Sequence, residues 1–376
     1  MKDERNEVLA NILLTYSVDL QPGEKIMLEL RGEETLELAK EIIKQATQLG
    51  GVPFWYYNDP SLTRHLIQSA SEAQFEAFGQ LHLKLAKECD AWLGLYAPDN
   101  AFELAEIDAG QLKLYQKLYV DPVQLKERVR NSKWCLLTFP TNSRAQLAEM
   151  SKEAFEDLYY DVCCLDYAKM SQAMDPLVEL MEKTNKVRIV APGTDLSFSI
   201  KGIPMVKCDG KENIPDGEVF TAPVRDSING HVTFNTPAIQ RGFLFNGIRL
   251  EFEEGKVVEA SCQAGTDKLN EILDVDEGAR YIGEFALGVN PYVSRPMKDA
   301  LFDEKIAGSL HLALGQCDQE APNGNESAIH WDIVLLQTKE HGGGEIYFDG
   351  RSIRKDGAFV DEKLEESFSA NALRGL

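Results

Sequence analysis

The sequence has no apolar run of about 18 residues, the length that a membrane-spanning helix requires. Its first residues lead into an amphipathic stretch and not into the apolar segment of a signal peptide. It contains only seven cysteines, an odd number, scattered and without a C-x-x-C pair. This usage fits neither a disulfide framework nor a structural zinc site. We therefore expect a cytoplasmic protein that does not associate with membranes.

Acidic residues outnumber basic ones by 61 to 39, so the formal net charge is −22. A nucleic-acid-binding protein needs a basic patch to neutralise phosphates, so this balance argues against nucleic acid as a partner. The chain also lacks both the G-x-G-x-x-G and the G-x-x-x-x-G-K-[ST] phosphate-binding motifs, which argues against a nucleotide. An acidic surface can recruit cations or a substrate ammonium group, but it can equally serve solubility alone.

The length of 376 residues favours two domains. Strand and helix patterns alternate in the N-terminal half, which predicts an α/β domain with a parallel sheet at residues 1–190. After residue 190 the strands become shorter and turns more frequent, which predicts an α+β, strand-rich C-terminal domain at residues 191–376. The strand candidates are Lys25–Leu30, Pro53–Tyr57, Asp90–Tyr96 and Lys186–Ala191; the helix candidates are Glu33–Leu49, Phe75–Lys87 and a segment that Ser151 could cap.

Near the C-terminal end, His330 and Asp332 stand two residues apart in an otherwise apolar segment. Side chains alternate between the two faces of a strand, so these two point the same way while Trp331 points the other. Ionisable groups in an apolar strand are costly unless they are paired. Two potential metal ligands projecting together from a rigid element therefore predict a divalent-cation site.

Four further residues beside small or apolar neighbours could complete such a site: Glu218, Glu284, Glu304 and His311. Each alone is weak, because a single glutamate at a strand end is usually solvated and a single histidine is usually a packed core residue. Together, the six residues offer carboxylate and imidazole ligands without a thiolate. This set would suit two divalent ions (zinc, cobalt or manganese) that share a bridging carboxylate and activate a water for hydrolysis.

The local sequences around these residues resemble the M29 family of metallo-aminopeptidases, the aminopeptidase T and aminopeptidase S group. The resemblance extends over essentially the whole chain, and its C-terminal motifs are specific in combination. It is carried by Asn213–Pro223 (NIPDGEVFTAP), Gly283–Pro291 (GEFALGVNP), Leu301–Lys305 (LFDEK), His311–Gly315 (HLALG), Asn325–Val334 (NESAIHWDIV), Pro192–Phe198 (PGTDLSF) and, more loosely, Phe139–Met150 (FPTNSRAQLAEM).

The resemblance implies a metal-binding C-terminal domain, a homodimer, and release of N-terminal residues from peptides with a free N-terminus. It also implies two divalent metal ions per chain, with Glu284 as the bridging ligand. Glu304 is the least secure assignment, because its spacing to the next histidine varies among relatives. By motif, the metal ligands are Glu218, Glu284, Glu304, His311, His330 and Asp332.

One position departs from the family pattern. Relatives commonly carry a tyrosine seven residues after the first metal-binding histidine, where this chain has Asp318. A phenol can donate a hydrogen bond to a developing oxyanion, whereas an ionised aspartate cannot, and the loss of one such donor costs about 10²–10³ in rate. Asp318 is therefore a second candidate catalytic residue beside Glu284.

This departure also leaves an alternative function open, that of a catalytically impaired homodimer that binds metal and peptide. A metal-dependent phosphoesterase ranks last, because few basic residues lie near the motifs.

Overall fold

A computed structural model of the chain describes residues 3–100 and 102–374. They divide into two compact units. The first extends to Cys164 and includes Gly210–Ile214, and the second consists of Leu165–Asp209 and the residues from Pro215 onward. The boundary predicted near residue 190 thus falls inside the second unit, because the strand that ends there pairs with the strand that follows it.

The strands, in chain order, are β1 (Lys25–Arg31), β2 (Val52–Tyr57), β3 (Ala91–Tyr96), β4 (Lys133–Thr138), β5 (Lys186–Ala191), β6 (Thr194–Ser199), β7 (Val206–Cys208), β8 (Asn213–Ile214), β9 (Glu218–Thr221), β10 (Asn229–Thr233), β11 (Ala238–Gln240), β12 (Phe243–Phe245), β13 (Arg249–Glu253), β14 (Lys256–Ser261), β15 (Ile282–Gly288), β16 (Ser309–Gly315), β17 (His330–Leu336), β18 (Glu345–Phe348), β19 (Arg351–Lys355) and β20 (Ala358–Phe359).

The α-helices are α1 (Arg5–Ile12), α2 (Leu36–Gln48), α3 (Pro60–Ser69), α4 (Glu72–Lys87), α5 (Ala109–Tyr115), α6 (Val129–Asn131), α7 (Asn142–Leu147), α8 (Lys152–Cys163), α9 (Tyr167–Glu182), α10 (Thr266–Leu273), α11 (Ala300–Asp303) and α12 (Glu362–Ser367). Two segments are π-helical, Leu13–Ser17 and Gln116–Arg128.

Local chemistry accounts for the main helices of the first unit. In α2 the buried residues Leu38, Ala39, Ile42 and Ala46 recur at helical spacing, so one face packs against the core. The predicted cap of α8 is confirmed, since the Ser151 side chain accepts a hydrogen bond from a backbone N–H of the first turn. None of the helices in the described part of the chain is both long and apolar enough to cross a membrane.

The first unit contains a five-stranded sheet in the order β2-β1-β3-β4-β8, and every pair in it is parallel. The predicted α/β region with a parallel sheet is confirmed. The sheet also contains β4 and β8, which the sequence patterns did not single out. From β1 the chain proceeds to β2 on one side and later to β3 on the other, so the strand order reverses between β1 and β3.

The second unit is built from antiparallel strands, as predicted for a strand-rich C-terminal region. One sheet has the order β14-β13-β10-β6-β5-β18-β19-β20, a second has the order β17-β16-β15-β9-β7, and β11 and β12 form a separate hairpin. The assignment of Lys186–Ala191 to the parallel sheet was wrong. This strand, β5, pairs antiparallel with β6 and β18, and two adjacent strands joined by a tight turn cannot be parallel.

Candidate metal centre

Five of the six predicted ligands lie on four neighbouring strands of the β17-β16-β15-β9-β7 sheet. These positions are Glu218 at the start of β9, Glu284 on β15, His311 on β16, and His330 and Asp332 on β17. The central strands are buried along their whole length, which fixes their register. The sheet therefore brings together side chains that are far apart in sequence.

The strand register places these side chains on one face. Glu284 lies opposite Ala313, which in turn lies opposite Asp332. His311 precedes Ala313 by two residues and so points to the same face. The side chain at Ala313 is small, which leaves room above the sheet for the longer polar groups around it.

A β-bulge at Gly283 adjusts the direction of β15 just before Glu284. A Cβ atom on this glycine would lie 2.4 Å from the carbonyl oxygen of Gln316, so no larger residue fits. The same carbonyl oxygen lies 2.8 Å from Nδ1 of His330. The bulge therefore helps to orient two of the predicted ligands at once.

The imidazole and carboxylate groups approach one another closely. His311 Nε2 lies 3.0 Å from Glu284 Oε1 and 3.7 Å from Asp332 Oδ1. His330 Nε2 lies 3.3 Å from Asp332 Oδ1 and 3.5 Å from Glu284 Oε2. On the other side of the His311 ring, Nδ1 lies 3.5 Å from Glu218 Oε2. The prediction that His330 and Asp332 project together is confirmed.

These contacts shift the acid–base equilibria. Burial alone would lower the pKa of His311, but the carboxylates of Glu218 and Glu284 raise it to about 10. Burial likewise opposes a positive charge on His330, and Asp332 more than offsets this, so the pKa of that imidazole rises as well. Without a metal, protons on the two histidines balance the carboxylates. A divalent ion would displace those protons and supply the same positive charge.

Three buried atoms of the cluster make no hydrogen bond of good geometry, although each faces an oppositely charged group at 3.3–3.5 Å: Glu218 Oε2, His311 Nδ1 and Asp332 Oδ1. Buried polar atoms are rarely left unpaired unless a ligand or ion satisfies them. The potential ligand atoms also form two groups, each within 4.8 Å: Glu218, Glu284 and His311, and Glu284, His330 and Asp332. Carboxylate and imidazole donors of this kind fit a divalent metal, and Glu284 belongs to both groups.

The orientation of the His330 ring is also that of a metal ligand. Its Nδ1 donates to the Gln316 carbonyl oxygen, which leaves Nε2 as the nitrogen that faces Glu284 and Asp332. Metal-binding histidines commonly donate their second ring nitrogen to a carbonyl or carboxylate in this way.

Sequence reasoning missed the role of Lys305. Its ammonium group is buried and lies 2.6 Å from Glu218 Oε1, 3.1 Å from Glu304 Oε2 and 3.5 Å from Asp216 Oδ1. Burial alone would lower the pKa of this lysine, but the surrounding carboxylates raise it, so it remains charged. The sequence contained one signal for this role: Lys305 is followed directly by an isoleucine and an alanine, and a lysine beside an apolar pair is a candidate for burial.

Lys305 also explains a third group of potential ligand atoms, Cys208, Asp216 and Glu218. The ammonium group contacts both of these carboxylates, so a cation is already present there. Burial raises the pKa of the Cys208 thiol well above its usual range, which keeps the sulfur protonated. We therefore do not assign a metal to this group.

The remaining two candidates lie outside the two groups that share Glu284. Glu304 follows helix α11 as its C-cap and contacts Lys305. Burial raises the pKa of its carboxyl well above the usual range, and the charge of Asp332 adds to this rise. Asp318 is half-buried in the loop after β16, where its Oδ1 accepts a hydrogen bond from the backbone N–H of Glu320. Tyr281, the residue before β15, has its ring covered by the guanidinium of Arg225 at 3.7 Å.

A cavity of about 160 Å³ adjoins the cluster. His330 and Asp332 line one side of it, and residues of β11 line another. Asp303, the last residue of α11, also borders the cavity, and burial raises the pKa of its carboxyl to about 8. The cavity is small compared with the several hundred Å³ of an ordinary ligand pocket, so it can take one side chain and not a long ligand.

A metal-dependent peptidase is the class that this fold and cluster indicate, and comparison with known proteins agrees. The model of the thermophilic metalloprotease family M29 matches residues 2–359, so the chain belongs to this family. The predicted resemblance and the prediction of a metallo-aminopeptidase are thereby confirmed. Among curated relatives, aminopeptidase AmpS of Bacillus subtilis is 36% identical over 403 residues, and the alignment covers 96% of each chain. Aminopeptidase 2 of Geobacillus stearothermophilus is 27% identical, with 93% of this chain and 94% of that protein covered.

Solved structures support the fold. Wild-type AmpT from Thermus thermophilus matches with a TM-score of 0.77 at 23% identity, over 95% of this chain and 99% of that one. A 2,5-dihydroxypyridine dioxygenase from Pseudomonas putida matches with a TM-score of 0.64 at 11% identity, over 97% and 99%. The same fold therefore occurs in proteins with different chemistry, and the function must be argued from the site.

Proposed function

We propose that this chain is an aminopeptidase that removes N-terminal residues from peptides at a site for two divalent metal ions. The observation that supports two ions is the pair of ligand groups that share Glu284. The first ion would be held by Glu218, His311 and Glu284, and the second by Glu284, His330 and Asp332. Glu304 contacts Lys305 and Asp332, so it lies beside both groups of ligands without belonging to either. When bound, divalent ions at such a site activate a water and polarise a peptide carbonyl.

The residues of the chain prepare this site in three ways. The Gln316 carbonyl oxygen fixes the ring of His330, so its Nε2 is presented without a proton when metal binds. Lys305 holds Glu218 and Glu304 in place through hydrogen bonds to both carboxylates. Glu218, Glu284 and His311 are buried, which strengthens the electrostatic interactions among them, whereas His330 lies at the exposed side of the cluster.

The cavity beside His330 and Asp332 can accommodate one residue next to the scissile bond, which supports a preference for substrates cleaved after a single residue. The cavity has room for about one side chain, and its lining carries both aspartates and Lys298. This arrangement suits removal of a single N-terminal residue better than cleavage inside a long chain.

The test is metal reconstitution. Protein stripped with a chelator is expected to lose hydrolysis of aminoacyl-p-nitroanilides and to recover it when zinc, cobalt or manganese is added. Metal content per chain is measured on the same samples, and about two ions per chain at full activity is the expected result. Activity that survives complete removal of metal, or no release from any of several aminoacyl substrates after reconstitution, would contradict the proposal.

We also propose that Asp318 shapes its loop and does not act on the reacting atoms, so the impaired alternative is not favoured. Asparagine in place of Asp318 can still accept the hydrogen bond from Glu320, so turnover is expected to stay close to that of the unchanged protein. Steady-state kinetics on one aminoacyl substrate measure this. A loss of about 10²–10³, as for removal of an oxyanion donor, would instead place Asp318 at the chemistry.

A homodimer is part of the same proposal. Edge strand β2 exposes Val52, Phe54, Trp55 and Tyr57, and such an apolar edge usually becomes covered by a partner. Light scattering of the purified protein measures the association state. All seven cysteines are free, which is consistent with our proposal of a reducing, cytoplasmic location.

A further inference from the structure

A cavity of about 300 Å³ lies in the first unit, at the carboxyl ends of the parallel strands. Arg31 ends β1, Tyr96 ends β3, and Asn58 directly follows β2; all three line the cavity. The strand order reverses between β1 and β3. In open parallel sheets, ligands bind outside the carboxyl ends of the strands at such a reversal.

The charges around this cavity do not balance. Glu29 is fully buried and accepts hydrogen bonds from Arg31 Nε and Nη2 at 2.9 and 2.6 Å. Burial would raise the pKa of Glu29, but Arg31 and then Arg128 lower it below its usual value, so the carboxylate is ionised. One carboxylate thus faces two guanidinium groups, and Arg128 Nε is buried without a hydrogen bond. An anion in the cavity would supply the missing charge and acceptor.

The rest of the lining indicates an organic ligand. The amide of Gln124 is buried, and neither its nitrogen nor its oxygen has a hydrogen bond within the usual geometric limits. The neighbouring Tyr119 hydroxyl is 3.2 Å from Nδ1 of His82. The ring of Tyr119 stacks on that of Tyr115, with 5.0 Å between the ring centroids. Aromatic rings beside an unsatisfied amide suit a molecule with a flat or apolar body and one polar group.

Phosphate is a poorer candidate for the anion. The turn after β1 is where doubly wound sheets bind phosphates, and here it carries Glu33 and Glu34 at the start of a helical turn. Two carboxylates at this position would repel a dianion. A carboxylate that approaches Arg128 from the aromatic side avoids them.

We propose that this cavity binds a small organic carboxylate whose body is apolar or aromatic. Arg128 binds the carboxylate, Gln124 binds a second polar group, and Tyr115 and Tyr119 contact the body. The site belongs to the first unit alone and does not depend on the function proposed for the metal centre.

Calorimetric titration of the intact chain with phenylacetate tests this proposal, with phenylacetamide as the uncharged analogue and inorganic phosphate as the alternative anion. Saturable binding of phenylacetate, with weaker binding of both others, is expected. Arg128→Met is expected to weaken phenylacetate binding about tenfold or more, since a charge-assisted hydrogen bond is lost. The matched control, Arg130→Met, removes an exposed arginine two residues away and is expected to leave binding unchanged.

Gln124→Leu provides a second variant in case Arg128→Met does not fold, and it too is expected to weaken binding. Glu284→Gln is expected to bind phenylacetate like the unchanged chain, which separates the cavity from the metal centre. Absence of saturable binding, equal binding of phenylacetamide, tighter binding of phosphate, or a loss only in Glu284→Gln would each overturn the proposal.

Discussion

Replacing Glu284 with glutamine is expected to lower both the metal content and the peptidase activity of the protein more than any other single ligand change. Glu284 is the one residue that belongs to both groups of ligand atoms, and its two oxygens face different histidines. Glutamine has nearly the same shape but only one acceptor oxygen and no charge. Changes to residues that merely support a ligand cost about 10–100-fold in metal affinity or activity, so loss of a shared ligand should exceed this range.

The measurements are metal content per chain after dialysis against zinc, and turnover of an aminoacyl-p-nitroanilide. Glu259→Gln is the matched control, because Glu259 is an exposed glutamate on strand β14 of the same unit. The control is expected to retain both properties. Unchanged metal content and turnover in Glu284→Gln would exclude this residue from the metal centre.

Replacing Lys305 with methionine is expected to destabilise the metal-free protein strongly. The ammonium group is the cation that the structure places among Asp216, Glu218 and Glu304, and all of these groups are largely buried. Removal of one partner from a buried ion pair costs about 3–5 kcal/mol, because the other charge is left uncompensated. Methionine fills a similar volume, so packing loss should contribute little.

Thermal unfolding with and without zinc distinguishes this electrostatic effect from a loss of packing. A divalent ion bound to Glu218 would neutralise part of the uncompensated charge, so zinc is expected to raise the melting temperature of Lys305→Met more than that of the unchanged protein. Lys256→Met, which removes an exposed lysine of β14, serves as the control and should unfold like the unchanged chain. Equal stability of Lys305→Met and the control in chelator would mean that Lys305 does not offset the buried carboxylates.

Several elements could be predicted because their signals are local. Alternation along a strand was enough to place His330 and Asp332 on one face, since side-chain direction depends only on the backbone conformation. Strand β1 and helix α2 followed from short apolar and helical patterns, and Ser151 from its capping chemistry. The family followed from motifs whose residues keep fixed spacings.

Other features depend on partners that are distant in sequence. Lys186–Ala191 has a strand pattern in either kind of sheet, and its hydrogen-bonded neighbours β6 and β18 decide that it is antiparallel. Short β8 joins the parallel sheet only through β4, which lies far earlier in the chain. No local pattern contains this information.

The sequence by itself determined which chemistry is available: carboxylates and imidazoles in family order, with no thiolate set and no phosphate-binding loop. Tertiary structure decided how that chemistry is arranged. Pairing of β9, β15, β16 and β17 brings together candidate ligands that lie up to about a third of the chain apart, and the same packing buries Lys305 among three carboxylates. The physical reason is that residue type and alternation are local properties, whereas burial and charge balance depend on which strands become neighbours.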